Sequence, residues 1–215
     1  MLAQYFTVKK EGSDQIIIQK SRFIGYVKRV ESEAAAQDFI QEIKKKHHDA
    51  THNCSAYIIG EQDHIQKAND DGEPSGTAGV PILEVLKKQN LKDTAVVVTR
   101  YFGGIKLGAG GLIRAYGSTT SQAIQTTGIV KRQRMQGFSI IVDYPLLGKL
   151  ENVIRNSDHK LDAINYLEKV EFIVYVKNGD EHTFRDWIIN LTSDQVAIAE
   201  KDTAYIEIDV KSTSE

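Results

Sequence analysis

Short apolar runs and segments of helical spacing take turns along this chain. Two apolar stretches open it, near Tyr5–Val8 and Ile16–Val27, and both predict strands. Ala36, Phe39, Ile40 and Ile43 then recur at helical spacing, which predicts a helix from about Ser32 to His47 with Ser32 as its N-cap. Cys54–Ile59 predicts a strand, and His64–Ala68 is expected to pair with it across a turn at Gly60–Asp63. Asp70–Gly76 is a loop by composition. Ala78, Ile82, Val85 and Leu86 mark one face of a helix reaching about Gln89. Its Pro81 sits in the first turn, where a missing N–H costs little. Asp93–Phe102 holds the buried run Ala95-Val96-Val97-Val98 and is the clearest strand of all. A glycine-rich loop, Gly103–Gly111, leads into a helix with Leu112, Tyr116, Thr120, Ala123 and Ile124 facing inward.

The C-terminal third has a simpler order. Gly137–Val142 predicts a strand, and Leu146, Leu147, Leu150, Val153 and Ile154 a helix. His159–Tyr166 and Val170–Val176 predict two strands. Phe184, Trp187, Ile188 and Leu191 mark a second helix, and Ala204–Val210 alternates as a final strand. The order βαββαβ is ferredoxin-like. The expectation is therefore an α+β protein of two domains, residues 1–130 and 135–215. Lys131, Arg132 and Arg134 lie in a short polar link at Thr127–Met135.

Composition agrees with a packed protein: 215 residues, 41% hydrophobic and 26% charged. The single Cys54 cannot form an intramolecular disulfide, so no oxidising compartment is implied. The N-terminus has no apolar signal-like core, and no run approaches the roughly 18 apolar residues of a membrane span. A soluble cytoplasmic protein is expected, with no membrane partner.

Charge changes the picture more. Residues 94–142 carry six Lys and Arg and no acid, whereas residues 143–215 carry eight Lys and Arg against 15 Asp and Glu. At the chain's average frequency, 49 residues would hold roughly six or seven acids. Burial explains the absence of charge from Ala95–Val98. It does not explain keeping Arg100, Lys106, Arg114, Lys131, Arg132 and Arg134 while dropping every acid. A local positive potential does.

The functional candidates centre there. Thr99–Gly111 follows a strand and opens a helix, where backbone N–H groups and the helix dipole favour an anion. Gly108, Gly110 and Gly111 permit close backbone approach, and Arg100, Lys106 and Arg114 can add charge-assisted contacts to phosphate. The loop is not a Walker A motif, since no GK[ST] ends it. Ile113 stands where a dinucleotide fingerprint needs its third glycine. No cofactor is implied, and no motif for reading DNA sequence is present.

A second candidate is the acidic loop with Asp71, Glu73 and Ser75. Asp71 and Glu73 are an acid/base pair or divalent-ion ligands in one reading. In the other, Ser75 or Thr77 caps the following helix with Glu73 near its positive end. His52 and Cys54 share a strand face. Their alternatives are a nucleophile pair and a packed, buried pair. One cysteine is too few for a structural zinc site, so no metal is expected. Lys20-Ser21-Arg22-Phe23 combines cations with an aromatic, either a weak nucleic-acid contact or a strand end.

Four of these segments together resemble the IMPACT family: KSRFI at 20–24, THNCSAY at 51–57, DGEPSGTAGVPIL at 71–83 and VVTRYFGGIKLGAGGLIRAY at 97–116. The resemblance implies an N-terminal two-layer α/β domain similar to a small-subunit ribosomal protein and to domain IV of elongation factor G. It implies a second domain similar to domain V of that factor. It also implies a link to translation, since the eukaryotic member regulates translation in amino-acid starvation through protein partners. The expected role is thus a non-enzymatic regulator acting through RNA, the ribosome or a translation-related protein, with no catalytic residues to carry over. The alternative is an enzyme acting on a phosphorylated or carboxylate small molecule at the glycine-rich loop. That alternative requires the acidic loop and the glycine-rich segment to face one pocket. A peptidase assignment, sometimes attached to bacterial members, finds no HExxH here.

Overall fold

The computed structural model describes residues 1–210. They divide into two compact units: one of residue 1, 5–131 and 208 onward, the other of 2–4 and 132–207. The first unit contains the strands β1 (Gln4–Val8, counted in the first unit from 5), β2 (Gly12–Ile18), β3 (Ser21–Arg29), β4 (His52–Ile59), β5 (Ile65–Asn69) and β6 (Thr94–Tyr101). Its helices are α1 (Glu33–Lys46), α2 (Gly79–Lys88) and α3 (Gly108–Thr127). The main sheet is antiparallel, in the order β2-β3-β6-β4-β5. Its centre is β6, the run of small β-branched residues, with β3 and β4 on either side.

This sheet of the mixed α/β first unit carries α2 and α3 on one face and α1 on the other. Val96 and Val98 face a core with Leu86 of α2 and Tyr116 and Ile124 of α3. Ala95 and Val97 face Ala36, Phe39 and Ile43 of α1. Successive strand side chains point to opposite faces. A strand apolar at every position therefore requires cover on both. Ser32 caps α1 as expected, accepting from Ala35 N at 3.2 Å.

The second unit is ferredoxin-like. It comprises β7 (Ile129–Val142, counted in the second unit from 132), α4 (Leu147–Arg155), β8 (Lys160–Tyr166), β9 (Val170–Lys177), α5 (Glu181–Thr192) and most of β10 (Ala197–Asp209). β7 pairs with β9 and β10, and β9 with β8. Phe138, Ile140, Phe172 and Val174 on one sheet face pack against Leu150 and Ile154 of α4 and Phe184 and Ile188 of α5.

Two segments depart from the expected pattern. The stretch Ile16–Val27 is not one strand: β2 and β3 form a hairpin whose turn residues Gln19 and Lys20 both have positive φ, 44° and 67°. Asn-Gly is the usual signal for that geometry, and Gln-Lys carries none of it. The segment Thr127–Met135 is not a polar link either, because β7 starts at Ile129. Lys131, Arg132 and Arg134 are half-buried strand residues. Arg132 lies 5.5 Å over the Tyr205 ring and 3.9 Å from Glu207, so its stem packs while its charge is met.

Candidate functional site

The site grows from a row across three strands. Register places Arg100 of β6 opposite Phe23 of β3 on one side and His52 of β4 on the other. All three side chains face the layer of α2 and α3. Arg100 is 5% exposed, and its guanidinium lies 5.3 Å from each of the Phe23 and Phe102 ring centroids. Its Nη1 donates to Glu73 Oε1 at 2.6 Å. The buried Tyr116 hydroxyl donates to the same oxygen at 2.8 Å, and His52 Nε2 lies 3.8 Å from it.

Cys54 adjoins this group, its Sγ 3.3 Å from Tyr116 Oη and 3.0 Å from Asp70 O. Burial pushes its thiol up to about 12, and burial likewise pushes the Tyr116 phenol far above its ordinary value. A thiolate nucleophile at neutral pH is therefore disfavoured. Of the two readings for Cys54, the packed one fits the geometry.

The acidic loop is shaped by its own carboxylates. Asp70 Oδ1 accepts from Ala78 N at 3.0 Å and Gly79 N at 2.8 Å, and Oδ2 from Gly76 N at 2.8 Å. Burial opposes ionisation of Asp70, but the three N–H donors outweigh it and hold its carboxyl below the ordinary value. Asp70 thus does the capping of α2 assigned to Ser75 or Thr77. Ser75 is exposed, and Thr77 Oγ1 donates to Pro74 O at 2.6 Å. Asp71 turns elsewhere, accepting from Lys44 Nζ at 2.6 Å and Asn53 N at 2.7 Å. Asp71 and Glu73 are not a facing pair. Among the described residues, no group of three or more His, Cys, Asp and Glu stands close enough to hold a metal ion.

The glycine-rich stretch divides in two. Gly103 approaches the β2–β3 turn so closely that its N donates to Ser21 Oγ at 3.1 Å. From Gly108 onward the residues are helix, not loop, so Gly108, Gly110 and Gly111 form the first turn of α3. Leu107 precedes that turn without a capping side chain, and no acid lies in it. Among the described residues, no side chain supplies its first N–H groups with the acceptors that helix starts ordinarily receive.

A cleft of about 410 Å³ joins these parts. Its wall includes His52, Glu73, Arg100, Phe102, Lys106 and Gly108, with Leu107 and Leu112 supplying apolar surface. Glu73 and the start of α3 therefore share one cleft, while Asp71 lies outside it. Arg114 and Gly111 line a neighbouring depression on the other side of the α3 start. Of the six basic and glycine candidates, Arg100, Lys106 and Gly108 line the cleft, Gly111 and Arg114 line the neighbouring depression, and Gly110 lines neither. Arg100 differs from the other cations, because its charge is already met by Glu73. Lys106 and Arg114 are exposed and have no acid partner among the described residues.

Three participants were hidden in the sequence: Tyr116 as a hydrogen-bond donor, His52 as a wall of the cleft and Asp70 as a cap. The i, i+4 pair Leu112–Tyr116 pointed to burial and not to chemistry. Only the strand order 3-6-4 brings Phe23, Arg100 and His52 into one row.

Comparison with known proteins covers both units. The family profile described as the Impact N-terminal domain matches residues 19–124, and a domain of unknown function, DUF1949, matches residues 140–195. The IMPACT family member YvyE of Bacillus subtilis (strain 168) is 58% identical over 207 residues, 96% of this chain and 95% of that protein. The IMPACT family member YigZ of Escherichia coli (strain K12) is 36% identical over 152 residues, 66% of this chain and 74% of that protein. Protein IMPACT of Rattus norvegicus is 43% identical over 67 residues, 30% of this chain and 20% of that protein. A crystal structure of a hypothetical protein matches with a TM-score of 0.60 at 26% identity, over 94% of this chain and 99% of that one.

Proposed function

The chain belongs to the IMPACT family, and from that premise we propose that it is a non-enzymatic regulator of translation in the cytoplasm that binds RNA or the ribosome through the start of α3. The observation that carries this reading is the first turn of α3. Among the described residues its N–H groups have no side-chain cap, and Lys106 and Arg114, which have no acid partner there, flank it. A Cβ at Gly110 would meet only Arg114 Nη1, at 3.9 Å. Packing does not require glycine there, and glycine in a helix costs about 0.5–1 kcal/mol relative to alanine. A backbone that a phosphate must approach closely accounts for it.

The test is binding of RNA and ribosomes across a salt series. Phosphate contacts make log K fall linearly with log salt, and each lost contact lowers the slope by about 0.7–0.9. Lys106→Ala and Arg114→Ala should each weaken binding and flatten the slope. Arg100→Ala is the wrong probe, because it strips Glu73 of its partner. Binding that ignores salt, or no binding at low salt, refutes the proposal.

A second reading has one observation in its favour: Glu73 and His52 share the cleft with the α3 start, as an enzyme acting on a phosphorylated or carboxylate small molecule requires. Against it, Glu73 Oε1 already serves Arg100 and Tyr116. Turnover of such a compound that Glu73→Gln abolishes, with RNA binding retained, would favour the enzyme.

A further inference from the structure

We propose that the cleft beside α3 takes one unpaired nucleotide of single-stranded RNA, its base against Phe102 and its phosphate at the first turn of α3. The inference rests on the RNA-binding reading and specifies what that site holds. Phosphate attraction alone needs only the helix start and the cations. It does not need the cleft of about 410 Å³ next to them, whose lining is mainly apolar.

The lining of that cleft offers three kinds of surface that a nucleotide can use. Lys106, Gly108 and Ala109 bring the cationic start of α3. Phe102, 45% exposed, with Leu107 and Leu112, offers apolar surface to a flat ring. The Arg100 guanidinium already lies near the Phe102 ring, so a stacked base would extend an existing cation–aromatic contact. The polar wall is formed by Thr51, His52, Glu73 and Arg100.

Arg100 supplies an observation independent of the helix. It is 5% exposed, it lines the cleft, and its Nε has no hydrogen-bond partner. A buried donor without an acceptor is costly, and a small shift of the guanidinium toward the cleft would bring it within reach of a ligand's acceptor. The edge of a base carries acceptors, and phosphate alone cannot occupy the apolar part of the cleft. Glu73 does not make the cleft repel an anion, because Arg100 meets its charge at 2.6 Å.

A duplex offers phosphates but keeps its base faces stacked inside, whereas unpaired bases can be splayed onto aromatic side chains. The cleft therefore favours single strands. Stacking on one aromatic contributes enough that its truncation should weaken single-strand binding by about tenfold.

The experiment compares a single-stranded and a double-stranded RNA of equal length, at one salt concentration, on the full chain and on Phe102→Ala. The expected result is tighter binding of the single strand. Phe102→Ala should lower it toward the duplex value and leave duplex binding unchanged. Nucleoside monophosphates should compete for the single strand better than inorganic phosphate does. Equal binding of both RNAs with no effect of Phe102→Ala overturns the base site and leaves the phosphate reading standing. Equal competition by inorganic phosphate overturns it in the same way. Absence of binding to either RNA overturns both. Should Phe102→Ala fail to fold, the competition series on the unaltered chain decides.

Discussion

Arg100 and Glu73 form an ion pair that is almost wholly inside the protein, Nη1 to Oε1 at 2.6 Å with side-chain exposures of 6% and 3%. In sequence they are 27 residues apart, one in a basic strand and one in an acidic loop. In the fold each removes the other from the set of free charges. The positive potential of the acid-free stretch is therefore carried at this site by Lys106 and Arg114.

The first prediction concerns that pair. Removing one partner of a buried pair leaves an uncompensated charge, at a cost of about 3–5 kcal/mol. Arg100→Ala and Glu73→Ala should each destabilise the chain on that scale in urea unfolding. The double variant should lose much less than the sum, since neither charge is then stranded. Additive losses would show that the two side chains are not coupled.

Much of this was legible beforehand, and what was not has physical causes. Helical spacing located α1, α2, α4 and α5, and the all-apolar run located β6. Those signals are local. The β2–β3 hairpin escaped because Gln19 and Lys20 adopt positive φ without the residues that usually announce it. The strand nature of Lys131–Arg134 escaped because long cationic stems pack while looking polar. For the site, the sequence indicated the segments and not their pairing. Arg100 looked like a ligand-binding cation, and only the strand register turns it toward Glu73 and His52.

The second prediction sets two glycines of one segment against each other. A Cβ at Gly103 would lie 2.1 Å from Lys20 C and 2.2 Å from its O, both backbone atoms that cannot swing aside. Gly103→Ala should therefore destabilise by about 1–3 kcal/mol, the range of overpacking. Gly110→Ala meets no such obstacle and should stabilise by about 0.5–1 kcal/mol while weakening RNA binding. Thermal melting read alongside the salt-series binding assay checks both signs. A Gly110→Ala protein that binds RNA as well as its parent would remove one support for the α3 site.

The third prediction follows from the Cys54 thiol. In the folded chain burial pushes it up to about 12, from an ordinary value of 9.0. The neutral form is the one the fold favours, so this contribution is whole below pH 9. Above that the unfolded chain ionises while the folded one does not, and stability falls by about 1.4 kcal/mol per pH unit until pH 12. Cys54→Ala should remove that part of the alkaline slope. The same burial should leave the native thiol unreactive to iodoacetamide at pH 8 and reactive once urea unfolds the chain. Rapid native alkylation would contradict the burial.

The fourth prediction acts at the acid side, through His47 on the opposite face of the sheet. Its ring is held between two phenols, with Nε2 2.6 Å from Tyr26 Oη and Nδ1 2.9 Å from Tyr101 Oη, and Tyr101 Oη donates to Asp49 at 3.0 Å. Burial and then the Lys46 charge lower its pKa below 6.5. Asp49 pulls the other way and Arg22 adds to the lowering. The fold thus favours the neutral ring, and the unfolded chain binds the proton first. Stability from this group is whole above pH 6.5 and declines as pH drops below it, toward the folded value. His47→Gln should flatten the stability profile between pH 7 and pH 5. An NMR titration should place the His47 ring below 6.5, and a His47 that titrates at or above 6.5 would disprove the assignment.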